Sequence, residues 1–260
     1  MTAARINFAA YAVLALSISP LFNSCQKRQK TFAVNYRNNT GASTIVEIKI
    51  CVILGGMTFM TLENKLNLKT SAELAHAEEK ISKAKARNLF KHDLLKGHKP
   101  GTFTTLAFIH KYLFEDIYSF AGKMRTVNIA KGSFRFVPSL YLSEALTTIS
   151  NMPQKSFDQI IEKYVEMNVA HPFREGNGRA TRIWLDHILK VELKMVIDWS
   201  LVNKEDYLLA MERSPIKDTE IKLLLKSALT DRISDREVYM KGIDASYNYE
   251  GYNTFKTEDL

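Results

Sequence analysis

From Thr70 onward, apolar positions recur every three or four residues, the period of helices packed on a common core. Thr70-x-x-Glu73 is a capping box that opens a charged helix running towards Phe90. Gly97 to Gly101, with Pro100, punctuates the chain before a helix carrying Leu106, Ile109, Leu113 and Ile117, which ends near Phe120-Ala121-Gly122. The period returns in Leu142, Ala145, Leu146 and Ile149, and again in Phe157, Ile160, Ile161, Tyr164 and Val165. Ile183, Trp184, Ile188 and Val191 mark a further helix, and Asn203-x-x-Asp206 and Ser234-x-x-Glu237 read as later N-terminal caps. One segment breaks the run. Thr126 to Pro138 has two short β-branched and aromatic stretches around Lys131-Gly132-Ser133, the signature of a hairpin. The pattern predicts an all-α bundle carrying one small β-hairpin.

Upstream of Met60 the pattern changes. Ile6 to Phe22 is an apolar run after Arg5 and before Ser24-Cys25, as in a signal peptide with a poor lipoprotein-type cleavage site. Ile50 to Met60 is too short to cross a bilayer as a helix. Residues 1–59 are therefore read as an N-terminal extension, with a native start at Met57 or Met60 preferred over a membrane anchor in residues 1–25. Residues 60–260 form the domain.

Charge supports that division. The 260 residues carry a formal net charge of +8, but residues 1–59 hold six Lys or Arg against one acid. That leaves 30 basic and 27 acidic residues in 60–260, a net of +3, which points to no nucleic-acid partner. Both cysteines, Cys25 and Cys51, precede the domain, so it has neither a disulfide framework nor a thiolate metal site. A reducing, cytoplasmic compartment fits.

The chemistry concentrates in His171-Pro172-Phe173-Arg174-Glu175-Gly176-Asn177-Gly178-Arg179-Ala180-Thr181-Arg182. A helix ends before Pro172, and a glycine-rich turn then leads into the next helix, exposing backbone N–H groups where the helix dipole favours anions. Arg179 and Arg182 lie three apart and can share a face. Glu175 beside an anion site implies an intervening cation, Mg²⁺ held by few protein ligands. His171 stands ready to take a proton from an incoming hydroxyl. Singly, each residue reads as a turn, a cap or a solvated charge; within twelve residues they complement one another.

This stretch resembles the Fic signature His-Pro-Phe-x-(Asp/Glu)-Gly-Asn-Gly-Arg-x-x-Arg at all nine specified positions, and the run Ile109 to Arg125 is similar to the start of that fold. The resemblance implies a Fic-type helical bundle that transfers AMP from ATP to a Tyr, Thr or Ser hydroxyl of a protein, or of itself. On that reading His171 is the base and Phe173 fixes the loop from the core. Glu175 holds Mg²⁺, and Gly176, Asn177 and Gly178 form the anion hole. Arg179 neutralises the leaving pyrophosphate, and Arg182 holds the γ-phosphate. Lys131, Gly132, Ser133 and Phe134 form a flap whose edge pairs with the protein substrate. The Doc-type relatives carry Lys where this chain has Gly178, so the glycine favours AMP transfer over phosphorylation. Another nucleotide donor, or a regulatory module with incidental catalysis, is the alternative.

Near the C-terminus, Ser246-Tyr247-Asn248-Tyr249-Glu250-Gly251 is similar to the family's inhibitory pattern (Ser/Thr)-x-x-x-Glu-(Gly/Asn). It implies a C-terminal inhibitory helix at about 244–252, as in single-domain class III Fic proteins, with Glu250 paired to Arg182 so that the γ-phosphate cannot dock. Tyr247 and Tyr249 are the expected self-modification sites. The protein target and the oligomeric state, a homo-oligomer included, stay open.

Overall fold

The computed structural model describes residues 28–37, 43–52, 61–132 and 134–260. Expectations for residues 1–25 and for Ser133 lie outside them. The chain divides into two compact units, residues 1–59 and 60–260. In the first, β1 (Arg28–Arg37) pairs antiparallel with β2 (Ser43–Val52).

The second unit is helical. α1 (Ser71–Lys91) starts at the expected capping box, with the Thr70 side chain accepting from Glu73 N–H and the Glu73 side chain accepting from Thr70 N–H. α2 (Phe103–Phe114) is shorter than its apolar period suggests: tight turns carry the chain from Glu115 to Gly122, although Ile117 remains fully buried. The hairpin, β3 (Ala130–Lys131) and β4 (Phe134–Arg135), turns through Gly132 at φ 57°. α3 (Leu142–Asn151), α4 (Phe157–Ala170) and α5 (Asn177–Leu193) follow. β5 (Val196–Ile197) pairs with β6 (Leu229–Thr230) across α6 (Lys204–Arg213) and α7 (Thr219–Ser227). The last helix, α8 (Arg236–Tyr249), is capped by Asp235, not Ser234; the Asp235 carboxylate accepts from the amides of Glu237 and Val238. All-α architecture with a small hairpin is what the pattern predicts; β1–β2 and β5–β6 are additional, and the latter two strands are only two residues each.

α5 is the central element, packed against α2 and α4 with α8 alongside. Trp184, fully buried, pins it by donating from Nε1 to the Thr102 carbonyl at 3.0 Å. α1 reads as a charged surface helix, yet Glu78, Glu79 and Lys83 are each 1% exposed. Charges this deep require partners, and the C-terminal tail supplies them. Glu79 accepts from the amides of Thr254 and Phe255, and Lys83 donates to the Phe255 carbonyl and meets Asp244.

Candidate active site

The site forms where α4 stops and α5 starts. His171 is the C-cap of α4, in the left-handed region at φ 48°, which a non-glycine residue holds only when its surroundings fix it. They do so on both sides. Its ring lies on Phe136 with centroids 3.8 Å apart, and its Nδ1 sits 3.3 Å from the Asn168 carbonyl. A carbonyl only accepts, so Nδ1 carries the proton and Nε2 keeps its lone pair. Burial, with the positive charges of Arg125 and Lys131, outweighs that bond and Glu250 and draws the imidazole down to about 4. At neutral pH it is an uncharged base.

The loop from Pro172 to Gly176 is braced from below. Phe173 is fully buried and stacks on His110 at 3.7 Å. His110 accepts from Gly122 N–H on Nδ1 at 2.9 Å and donates from Nε2 to the Glu175 carbonyl at 2.8 Å. Gly176 takes φ 77°, and a Cβ there would stand 2.5 Å from the Phe114 ring. Only glycine fits both the dihedral and the space.

α5 then begins with no side-chain cap. Its first intrahelical bond is Ala180 N–H to the Gly176 carbonyl at 3.2 Å, so the amides of Asn177, Gly178 and Arg179 are left facing outward at the positive end of the dipole. The Asn177 side chain is not free to meet phosphate as expected: it accepts from Phe173 N–H and donates to the Phe173 carbonyl, both at 2.8 Å. It clamps the loop.

The two arginines have different surroundings. Arg179 is 1% exposed, enclosed by Phe114, Tyr247 and Tyr252 and ion-paired with Glu78 of α1. The guanidinium expected to neutralise the leaving pyrophosphate is thus enclosed in this arrangement. It reaches the site through Nη2, which donates to Glu175 Oε1 at 3.1 Å. Gly176 N–H donates to the same oxygen at 2.9 Å. Both bonds fall on Oε1 of a carboxylate that is 44% exposed, and Oε2 has no hydrogen-bond partner among the described residues.

Arg182 is held by the C-terminal segment. Its Nε donates to Ser246 Oγ at 2.6 Å, and its Nη2 donates to the Ser246 carbonyl at 2.8 Å and to Glu250 Oε1 at 2.9 Å. Glu250 lies just past α8 as its C-cap rather than within the helix. Burial pushes its carboxyl up, but Arg182 first, with Arg179 and Lys131, overrides this and holds it at about 2. A Cβ on Gly178 would come within 2.3 Å of Glu250 Oε1, so the carboxylate fills the space beside the anion nest.

Neither expected self-modification site is accessible. Tyr247 and Tyr249 are 1% and 5% exposed, and their hydroxyls donate to Ser82 Oγ and to the carbonyls of Trp199 and Val202. AMP could reach them only after α8 detached. On the flap, Lys131 is exposed and Phe134 packs edge-on against Phe136 at 5.2 Å. A cavity of about 600 Å³ borders Arg182, Asp186, Trp199, Ile243 and Tyr247. Arg179 also lines it, whereas His171 and Gly176–Gly178 do not.

An uncharged histidine and a glycine turn thus meet at one helix start, where uncapped amides and the dipole favour an anion. Residues 100–189 match the Fic/DOC family. It is 25% identical over 182 residues to the probable protein adenylyltransferase Fic of Escherichia coli K12, covering 65% of this chain and 88% of that one. To the protein adenylyltransferase VbhT of Bartonella schoenbuchensis it is 30% identical over 142 residues, 50% of this chain and 30% of VbhT. The fold is similar to that of the BepC effector of Bartonella tribocorum with bound AMPPNP, at a TM-score of 0.56 and 19% identity over 68% of this chain and 95% of that one. A Fic domain from Bartonella quintana with bound ADP gives a TM-score of 0.54 at 21% identity, over 65% and 91%. Among the described residues no helix is long and apolar enough to cross a membrane.

Proposed function

We propose that this protein is a protein adenylyltransferase that moves AMP from ATP onto a hydroxyl of a protein, and that the state described here is its braked form. The observation that carries the reading is His171 itself: an uncharged imidazole with Nδ1–H fixed by Asn168 and Nε2 left as acceptor, at the turn that leads into the side-chain-uncapped N-terminus of α5.

His171 Nε2 takes the proton from the target hydroxyl as its oxygen attacks the α-phosphorus. The bond from that phosphorus to the bridging oxygen breaks, and pyrophosphate leaves. The amides of Asn177, Gly178 and Arg179 stabilise phosphate charge from fixed positions. Mg²⁺ fits Glu175: one half-exposed carboxylate with Oε2 unbonded among the described residues suits an ion bound mainly through substrate phosphates and water, and it would supply charge neutralisation there. Arg179 acts by holding Glu175. The open edges of the two-stranded flap seat the target as an added strand. With Glu250 on Arg182, the γ-phosphate has no partner, and ATP cannot settle productively.

The test is label transfer to lysate proteins from ATP labelled at the α- or the γ-phosphate. Glu250→Gly transfers α-label, wild type much less, and His171→Ala none. Transfer of γ-label instead would make the enzyme a kinase, and no transfer by Glu250→Gly would remove the proposal.

A further inference from the structure

Arg125 is 2% exposed and makes no ion pair among the described residues; its guanidinium is satisfied by carbonyls alone. Nε donates to the His171 carbonyl at 2.8 Å and Nη1 to the Val127 carbonyl at 2.7 Å. Nη2 donates to the Val137 and Ala170 carbonyls, and the Arg125 amide donates to the Pro172 carbonyl at 2.8 Å. These acceptors belong to three places: the segment leading into the flap, the segment leaving it, and the end of α4 with the histidine loop. Two further contacts follow the same seam. Val137 N–H donates to the Val169 carbonyl at 3.2 Å, and Phe136 lies on the His171 ring.

The chemistry of the side chain suits the task. A planar fork with five N–H groups can satisfy several carbonyls that a single ammonium cannot. Ala170 and His171 end a helix, where carbonyls lack intrahelical donors and the dipole favours a cation. Without Arg125 the carbonyls of Ala170 and His171 would have no donor among the described residues, and the left-handed His171 would lose the bond on its carbonyl side.

We propose that Arg125 is a positioning residue that locks the flap to the histidine loop, so that the strand seating the target and the base receiving its proton move as one body. It touches neither nucleotide nor target. Its effect falls on the distance between a seated hydroxyl and Nε2, a quantity to which rate is steeply sensitive: a displacement of ~1 Å can cost ~10²-fold. The proposal rests on the adenylyltransferase reading for its kinetic arm only.

The experiment compares Arg125→Lys with Arg125 in the full chain carrying Glu250→Gly, so that the brake does not mask the rate. Lysine keeps the charge and loses the fork. The expected result is a fall in kcat of roughly 10- to 100-fold, with ATP affinity by calorimetry within about twofold, since the nest and Arg182 are untouched. Equal kcat in a folded variant overturns the proposal, as does a loss confined to ATP affinity. Hydrogen exchange supplies the arm that needs neither turnover nor a folded variant. In the Glu250→Gly protein that keeps Arg125, amides of residues 127–137 and 167–171 should open together with the same protection; independent opening overturns the proposal even if the Arg125 variant fails to fold. If the Glu250→Gly reference transfers no AMP, the enzymatic reading fails, and the exchange result still decides the mechanical one.

Discussion

At the scale of single residues, His171 combines a strained backbone with a depressed basicity, and both bear on its pH dependence. Its imidazole stands at about 4, with burial, Arg125 and Lys131 pulling down and the Asn168 bond and Glu250 pulling up. The base is therefore competent once pH exceeds that value. AMP transfer should be flat from about pH 6 to 8 and fall only below about pH 5, measured as kcat against pH. The brake does not titrate in that window: a carboxyl depressed to about 2 contributes its pairing above the ordinary carboxyl range and loses it only as pH falls towards 2. Glu250→Gly removes a negative charge that supports protonated His171, so its acid limb should move to lower pH. An acid limb at pH 6.5 in either protein would show that His171 is not buried as described. His171→Ala should lose ~10²–10⁴-fold in rate while still binding ATP, since the base acts on the hydroxyl.

At the scale of elements, the turn between α4 and α5 shows what a contiguous motif reveals and what it conceals. Histidine, glycines, carboxylate and arginines within twelve residues were legible because their types complement one another on one short turn. Their division of labour was not. The Asn177 amide is committed to Phe173 and the Arg179 guanidinium to Glu175 and to the distant Glu78, pairings that residue types and spacing alone do not disclose. His110, Phe136, Arg125 and Glu78 escaped for the same reason; each looks in sequence like an ordinary core or surface residue. Gly176 gives a direct check of the turn. Gly176→Ala must hold a left-handed dihedral, at ~1–2 kcal/mol, and displace the Phe114 ring besides. A domain of this size loses about 2–4 °C of Tm per kcal/mol, so a fall of roughly 5–10 °C in calorimetry is expected, together with weakened ATP binding. An unchanged Tm would mean the turn relaxes freely.

The brake is also an element-scale device, and its strength can be bounded. Glu250 and Ser246 occupy Arg182 together, so removing the carboxylate leaves two of three bonds and frees the space beside Gly178. A coupling of ~1–3 kcal/mol, typical between competing occupants of one site, corresponds to about 5- to 150-fold activation of Glu250→Gly. The gain should vanish when Arg182→Ala is added, because the γ-phosphate then has no partner to recover. A double variant as fast as Glu250→Gly would place the brake elsewhere.

At the scale of the molecule, the buried charges of α1 explain why the catalytic unit needs its own ends. Glu79 and Lys83 receive the tail through Thr254 and Phe255, and Glu78 reaches Arg179 and the Tyr252 hydroxyl, so α1 holds both the motif and the segment that follows the brake. Periodicity alone marked α1 as a charged helix and gave no sign of this, since a carboxylate buried by a distant tail is written like one facing water. The stretch before α1 is tied in too: Lys65 N–H donates to the Ile117 carbonyl at 2.8 Å, and Lys65 Nζ donates to the Glu115 carbonyl at 2.7 Å. Residues 60–260 form a compact unit by themselves. A chain starting at Met60 keeps every one of these contacts and should melt within about 2 °C of the 260-residue protein and transfer AMP at the same rate in the Glu250→Gly background. A chain starting at Ser71 loses the Lys65 bonds and the Thr70 cap, the latter alone costing ~1 kcal/mol, and should melt several degrees lower. If the Met60 chain fails to fold while the 260-residue protein is stable, residues 1–59 are part of the catalytic unit and the division at Phe59 is wrong.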